Sequence, residues 1–387
     1  MFKKYKNKNP ELDMTFWWKK NPKLPVDHVK FIIEQLSKID SSWNPDSRRK
    51  AQEECTRYLM GTKHFMLGDA ETNITTDALD ELYAAMYRHD FFYELLLHFS
   101  DLEFEARKEV ILIFSICLRH SKDNKHVTVD YLVSEPRTIN QMLRTIELAL
   151  QGKNAHDIFL PVGNMILECI KYEQLCRIIL KDQQIWKFFE FVKLGYFEIS
   201  TESLQILSAA LTTHSKLVSK EFFSQDSNIV DFIQNINKLI AHGTYVTKRQ
   251  STKLLGTLIV LRSNNQLMNQ YINSPENLKL IMTVMTDKSK NLQNEAFNVF
   301  KVMIANPRKS KPVSDILIKN REKLLMYFET FGLDSLDQTF LDERDFIIQE
   351  IESLPRIVSS NADSSCNLAG SPPKNTTTSS PSNNNAT

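Results

Sequence analysis

Glycine is scarce in this sequence, with nine residues in a chain of 387, where an average protein would have about 7%. Loops that cradle phosphates or dinucleotides need closely spaced glycines, because a residue without Cβ lets the backbone approach the ligand and adopt positive φ. No two of the nine are spaced as G-x-G or as G-x-x-x-x-G-K. The scarcity argues against Rossmann enzymes, P-loop NTPases and all-β sandwiches with tight glycine hairpins.

Cysteines, long apolar runs and net charge are also limited. The five cysteines are odd in number and form no C-x-x-C pair, which is typical of reduced, mostly buried thiols in an intracellular protein. The N-terminus lacks the apolar stretch of a signal peptide, and runs such as Val110–Phe114 are too short to cross a membrane. With a net charge of +1, no global field favours nucleic acid or membrane. These features predict a soluble cytosolic protein without membrane insertion.

Catalytic and metal-binding motifs are missing from the sequence as well. The nine histidines form no H-E-x-x-H motif and no pair with cysteine at zinc-finger spacing. There is no G-x-S-x-G elbow, no kinase motif set and no EF-hand loop. Acid pairs such as Glu103 and Glu105 are more typical of a solvated helix face than of a general acid/base dyad. The sequence therefore predicts no catalytic residues, no metal, no cofactor and no small-molecule substrate.

Apolar residues recur at helical spacing along most of the chain, and no sustained alternating pattern suggests strands. Strongly apolar helix centres fall at 113–114, 165–166, 206–207, 254–255 and 299–300, at successive spacings of 52, 41, 48 and 45 residues. A period of about 40–47 residues is typical of HEAT and armadillo repeats. A single repeat cannot bury its own apolar face, so neighbouring repeats must stack. The sequence predicts an all-α helical-repeat solenoid over residues 24–358.

The two ends differ in composition from the middle. Residues 1–23 contain seven lysines and two acids, interrupted by Phe16-Trp17-Trp18. We expect this basic arm to cap the first repeat with its three aromatic residues. Residues 359–387 contain 21 Ser, Thr, Asn or Pro among 29 residues, too few apolar side chains to offset the entropy of ordering. A disordered tail is therefore predicted there.

Positive charge is concentrated between Tyr245 and Lys311, where eleven Lys and Arg residues stand against three acids. Arg249 and Lys253 are four residues apart on one helix and share a face. Equivalent helices of successive repeats line one side of a solenoid, so such bases can merge into one patch. Three interpretations stay open: a solvated helix face, a groove for an acidic peptide or protein, and a groove for nucleic acid. The few aromatic residues available for base stacking weaken the last.

Several long segments carry a family signature: YVTKRQSTKLLG at Tyr245–Gly256, PENLKL at Pro275–Leu280, DKSKNLQNEAFNVFKVMIANP at Asp287–Pro307, DLEFEARK at Asp101–Lys108 and ECIKYEQLCRIIL at Glu168–Leu180. The chain resembles the Mo-twenty-five family, also called calcium-binding protein 39, and its fungal Hym branch in particular, over most of residues 16–355. The resemblance implies a right-handed armadillo/HEAT-like solenoid without catalytic activity. It also implies a scaffold that binds Ste20-like (germinal-centre) kinases or a related pseudokinase and activates them allosterically.

In this family the concave face holds the kinase domain, and a pocket nearer the C-terminus takes a Trp-Glu-Phe-like tail of the same partner. The resemblance further implies a cytoplasmic network with an NDR-family kinase, enriched at the cell cortex, that controls polarised growth, cell morphogenesis and cell separation. Carried over by position, the tail pocket should involve Phe197, Arg249, Arg262, Lys279 and Met282, and Lys253 completes the partner-binding residues of the tail pocket and the concave face. Asn265 stands where animal members have phenylalanine, which predicts a shallower tail pocket. A nucleic-acid-binding repeat protein that uses the basic 245–311 stretch is the alternative.

Overall fold

The computed structural model describes residues 24–68, 75–152, 155–333 and 337–356. Across these ranges the regular structure is helical, with 19 α-helices and a single isolated bridge between Lys122 and Lys125. The predicted all-α class is confirmed. The basic arm with its Phe16-Trp17-Trp18 cap and the predicted tail at 359–387 lie outside the described residues, so both stay predictions.

Ten helices occupy the first half of the chain. In order, they are α1 (Pro25–Ser41), α2 (Pro45–Leu67), α3 (Thr76–Arg88), α4 (Phe91–Leu97), α5 (Phe104–Arg119), α6 (Val127–Ser134), α7 (Arg137–Ala149), α8 (Ala155–Ile170), α9 (Glu173–Lys181) and α10 (Lys187–Phe191).

Nine more helices complete the described chain. They are α11 (Phe197–Thr212), α12 (Ser215–Leu217), α13 (Asp226–His242), α14 (Tyr245–Val260), α15 (Asn265–Ile272), α16 (Pro275–Met285), α17 (Lys290–Ile304), α18 (Lys311–Thr330) and α19 (Gln338–Glu352). A π-helical turn at Val218–Phe222 continues α12, and short 3₁₀ turns link several other helices.

Local signals in the sequence set the helix boundaries. Helix α16 begins after Ser274, whose side chain accepts a hydrogen bond from the Asn277 backbone N–H, with Pro275 in the first turn. Helix α17 begins in the same way after Ser289 and ends before the Asn306-Pro307 pair. Both helix starts lie where these capping residues in the sequence predict them.

Every third helix or so belongs to a single layer, in which each member contacts the next. We call its seven members the ladder helices: α2, α5, α8, α11, α14, α17 and α19. All five apolar centres of the sequence lie on ladder helices, and Ile113, Ile166 and Phe300 are completely buried there. A second layer, which includes α1, α4, α7, α13, α16 and α18, packs against the ladder. This arrangement confirms the helical-repeat solenoid.

The core is continuous from the first repeat to the last. It extends from Val29 on α1 to Ile351 on α19 as one cluster of buried apolar side chains. Because each ladder helix buries its apolar face against the helices before and after it, the stability of one repeat depends on its neighbours. The opposite face of the ladder is left available for binding.

Candidate partner-binding surface

Helix α14 is held tightly at its start, which fixes the side chains that follow. The Thr244 hydroxyl accepts a hydrogen bond from the Thr247 backbone N–H at 3.3 Å and so caps the helix. A Cβ added at Gly243 would lie 2.5 Å from the Leu239 carbonyl oxygen and 2.6 Å from Thr247 Cγ2. Only glycine therefore allows α13 and α14 to meet so closely at this turn.

Three clefts lie in succession along α14. The first, of about 390 Å³, lies between α11 and the α13–α14 turn, and the second, of about 520 Å³, lies between α11 and α14. The third, of about 1150 Å³, is bounded by α14, α15, α17 and α19. Leu204 and Val246 line both the first and the second cleft, while Lys253 and Thr257 line both the second and the third. The clefts form one groove, which crosses α14 at Lys253 and Thr257.

One face of α14 supplies the groove with side chains. Its members recur at intervals of three and four residues, as expected for a single helical face: Val246, Gln250, Lys253, Thr257 and Val260. The buried face, with Leu254, Leu255 and Leu258, points into the core. Helix α14 therefore separates the core from the groove.

Two of the six residues predicted from the resemblance line this groove directly. Phe197 is the first residue of α11 and lies at the edge of the first cleft, where 64% of it is exposed. Lys253 is exposed at the crossing point. An aromatic ring and a cation are thus exposed at the groove on two neighbouring ladder helices.

Arg249 lies beside the groove and faces α17. Its Nε is 3.8 Å from the Glu295 carboxylate, too far for a hydrogen bond. The same Nε is buried and has no hydrogen-bond partner in the described part of the chain. An unsatisfied buried donor is costly, so the contact with Glu295 leaves the Arg249 side chain incompletely satisfied.

The other three predicted residues do not line the groove. Arg262 is exposed in the turn after α14, Lys279 is exposed on α16, and Met282 is half-buried one turn further along the same helix. None of the three lines any of the three clefts of the groove. Asn265 begins α15 and accepts a hydrogen bond from Asn269 Nδ2 at 3.0 Å. Phe197 and Lys253 therefore line the groove and Arg249 lies beside it, whereas Arg262, Lys279 and Met282, which we call the α15–α16 face, line none of its clefts. The role of all six in binding stays a prediction.

Many cations between Tyr245 and Lys311 are not used by the fold. Lys301 pairs with Glu343, and Lys311 Nζ lies 3.1 Å from Asp315. Lys309 donates to the Asn306 carbonyl, and burial lowers the pKa of Lys309. Seven cations form no ion pair with any residue that the structure describes: Lys248, Lys253, Arg262, Lys279, Lys288, Arg308 and Lys309.

Reactive chemistry has little support among the described residues. All four described cysteines are buried and free, and burial raises the pKa of Cys55 and of Cys176 to about 12, so these thiols stay protonated at neutral pH. Cys366 lies outside the described ranges. Within those ranges no group of three or more potential metal ligands comes together, and no helix is long and apolar enough to span a membrane.

Sequence reasoning missed the apolar end of the groove. Val260 on α14 and Phe346 on α19 are 63% and 48% exposed and line the third cleft. Val260 continues the groove face of α14 after Lys253 and Thr257, so its spacing was a usable signal. No sequence signal pointed to Phe346, because only the contact between α17 and α19 brings this residue beside α14.

The stacked helices define an all-α helical-repeat protein with an open groove along α14. The sequence matches the Mo25-like family over residues 16–355. It is 74% identical to Protein HYM1 of Saccharomyces cerevisiae over 96% of this chain and 93% of that protein. It is 35% identical to human Calcium-binding protein 39-like over 87% of this chain and 97% of that protein. It is 33% identical to the Mo25-like protein of Schizosaccharomyces pombe over 88% of this chain and 100% of that protein. The chain belongs to the Mo25-like family.

Proposed function

We propose that this chain is a non-catalytic scaffold that binds a Ste20-like (germinal-centre) protein kinase or pseudokinase in the groove along α14. The continuous groove with an unpaired cation at its centre carries the proposal. Lys253 is exposed, forms no ion pair with any described residue and lies where the second and third clefts meet. A carboxylate of the partner would form a charge-assisted hydrogen bond there.

Activation of the kinase requires no chemistry by the scaffold. A scaffold that binds the closed, active-like conformation more tightly than the open one shifts the population toward the closed state. A difference in binding free energy of about 3 kcal/mol corresponds to a shift of more than a hundredfold. Phe197 and Arg249, which lie at the groove, supply the apolar and cationic contacts for this discrimination.

A second contact involves the C-terminal tail of the same partner. We assign a Trp-Glu-Phe-like tail to the α15–α16 face, where Met282 offers polarisable apolar surface and the exposed cations Arg262 and Lys279 pair with the acid or the terminal carboxylate. Asn265 leaves this site without an aromatic wall. Two separated contacts on one partner raise the effective concentration of each.

Family membership supports a proposal for the cellular setting. We infer a cytoplasmic protein, enriched at the cortex and at sites of polarised growth, in a network that links the bound kinase to an NDR-family kinase. The outcome of that network is control of cell morphogenesis and cell separation.

The test is a kinase assay with a candidate Ste20-like kinase. We expect wild-type protein to stimulate phosphorylation and the double variant Arg249→Ala, Met282→Ala to lose most of the stimulation. Lys216→Ala serves as the matched control, because Lys216 is exposed and lies outside the groove. Full stimulation by the double variant would contradict the assignment of these residues, and no stimulation by the wild type would leave only a passive tether.

A further inference from the structure

The third cleft, which we call the C-terminal cleft, has walls from α14 and α19 and a base formed by α15 and α17. We propose that it binds an amphipathic helix of a partner protein, with an acid toward α14 and a base toward α19. This interaction rests on the proposed function and deepens it, because the cleft is the third of the three clefts that form the groove along α14. Apart from Lys253 on its rim, the cleft contains none of the residues assigned to the kinase.

The cleft leaves large apolar side chains uncovered. Val260 is 63% exposed and Phe346 is 48% exposed, and both face the same space as the partly buried Met268 and Val302. Its volume of about 1150 Å³ exceeds the range of about 300–1,000 Å³ for pockets that hold drug-sized ligands. Space of this size with an apolar lining suits several side chains of a peptide.

The walls favour a helix over an extended strand. They consist of helices, which use their backbone N–H and C=O groups in their own hydrogen bonds. An extended peptide would therefore bury its backbone polar groups without partners, at a high cost. A helix satisfies its own backbone and presents only side chains to the cleft.

The dimensions of the cleft set the length of the bound helix. Its walls span Lys253 to Leu261 on α14 and Thr339 to Ile347 on α19. At a rise of about 1.5 Å per residue, each wall is about 12 Å long, which corresponds to somewhat more than two helical turns. A ligand helix of that length presents apolar anchors at positions i, i+4 and i+7.

Charges on the two walls orient the ligand. On α19, Glu343 is neutralised by Lys301, whereas Asp342 forms no ion pair with a described residue and accepts only from the Gln338 amide at 2.7 Å. On α14, Lys253 is unpaired. Helix α17 lies between these two helices and contacts both. An acid on one flank of the ligand helix meets Lys253, and a base on the other flank meets Asp342.

The probe is a fluorescein-labelled, stapled 12-residue helix with leucines at i, i+4 and i+7, glutamates on one flank and lysines on the other. Fluorescence anisotropy with the full chain should show at least tenfold tighter binding than for a scrambled peptide of the same composition. Phe346→Glu should weaken binding of the amphipathic peptide at least tenfold. Met326→Glu, at a residue that is 68% exposed on α18 and outside the cleft, should leave binding unchanged.

Charge exchange tests the orientation. Asp342→Lys should weaken binding of the parent peptide severalfold, and replacing the lysine flank with glutamates should restore it to within threefold. Equal affinity for the scrambled peptide, or no effect of Phe346→Glu, would overturn the proposal. A third outcome would also overturn the proposal: the chain self-associates, Phe346→Glu abolishes this self-association, and no peptide is preferred over another. The cleft would then be assigned to a second copy of the chain. Kinase stimulation by Phe197→Ala, measured in parallel, tests the proposed function separately.

Discussion

The repeats before α12 and the stretch from Tyr245 to Lys311 use their charges differently. In the earlier repeats, cations pair with acids on other helices: Lys63 on α2 lies 2.7 Å from Glu109 on α5, and Arg177 on α9 lies 2.8 Å from Glu221 in the π-helical turn. In the later stretch, seven of the eleven cations form no ion pair with any described residue, against eight of the twenty described cations in the earlier repeats. A larger share of the later cations is therefore left unpaired by the fold.

The groove lies on the later side of this division. It begins at Phe197 and extends along α14 to Phe346, so apolar and cationic groups that folding leaves uncovered occur together. Either feature alone is common on protein surfaces. Their coincidence along one continuous depression supports the proposed binding surface, and the comparison predicts that variants in the two regions have opposite effects on stability and binding.

The largest effect on stability is expected at the Lys63–Glu109 pair. The Glu109 side chain is only 6% exposed, and its second carboxylate oxygen has no hydrogen-bond partner in the described chain. Lys63→Met leaves a buried carboxylate without its cation, so the free energy of unfolding should fall by about 3 kcal/mol. Urea denaturation measures this loss. Arg49→Met, which removes an exposed pair, should cost less than about 1 kcal/mol. Equal losses of unfolding free energy from Lys63→Met and Arg49→Met would show that the buried pair contributes no more to the fold than an exposed one, and the comparison between the two regions would fail.

A somewhat smaller effect is expected at the turn that positions α14. Gly243→Ala places a methyl group against the Leu239 carbonyl and Thr247, and relief of such overpacking costs about 1–3 kcal/mol. Thermal and urea unfolding should both show the loss, and binding to the kinase should weaken because the start of α14 moves. Gly256→Ala is the matched control in the same helix, since its Cβ would make an ordinary contact of 3.6 Å with Val299.

In the control variant Gly256→Ala the free energy of unfolding should rise by about 0.5–1 kcal/mol, because alanine stabilises a helix interior relative to glycine. A Gly243→Ala variant as stable as the wild type would show that the two helices separate without cost. The groove would then be less rigid than the close contact at Gly243 indicates.

The ladder was predictable from sequence because its signal is local. Ile113, Ile166 and Phe300 lie in apolar helices whose spacing equals one repeat, and a repeat that cannot bury its own face must stack. Pairings between repeats carry no comparable signal. Lys63 and Glu109 are 46 residues apart, and their contact depends on how α2 and α5 are rotated against each other.

The groove was predictable only in part for the same reason. Arg249 and Lys253 were expected on one face, yet Arg249 faces Glu295 on α17 whereas Lys253 faces the clefts. Positions four apart differ by about 40° around a helix, which is enough to place one beside a neighbouring helix and the other in the open. Phe346 lies 93 residues beyond Lys253 in the chain, and only the stacking of α17 and α19 brings it to the groove.

Lys253→Glu should affect binding and leave the fold unchanged. Because Lys253 is exposed and forms no ion pair within the described ranges, the free energy of unfolding should change by less than about 0.5 kcal/mol. Affinity for the kinase should fall about tenfold, and the loss should be smaller at high salt because ions screen the charge. Titration of the kinase at two salt concentrations measures this. Lys216→Glu, outside the groove, should bind the kinase like the wild type. A large loss of stability in Lys253→Glu would contradict the claim that the fold does not use the charge of Lys253.

The smallest effect concerns Glu202, an acid on α11 beside the start of the groove. One of its carboxylate oxygens is buried without a hydrogen-bond partner in the described chain, it lies 3.0 Å from where a Cβ on Gly163 would be, and burial raises the pKa of the carboxyl above its ordinary value. The folded state therefore binds this proton more tightly than the unfolded state, so wild-type stability declines as the pH rises through the interval between the two pKa values.

Glu202→Gln removes the charge and should be more stable than the wild type at pH 7. The difference should vanish below about pH 4, where the carboxyl is protonated in both states. Urea denaturation at pH 4 and pH 7 measures it, with the exposed Glu198→Gln as control. The opposite result would be a Glu202→Gln variant that is less stable than the wild type at pH 7, with a smaller deficit at pH 4. That result would mean that the carboxylate has a stabilising partner. Glu202 would then be one more charge used by the fold, and the boundary between the two regions would move from α11 toward α14.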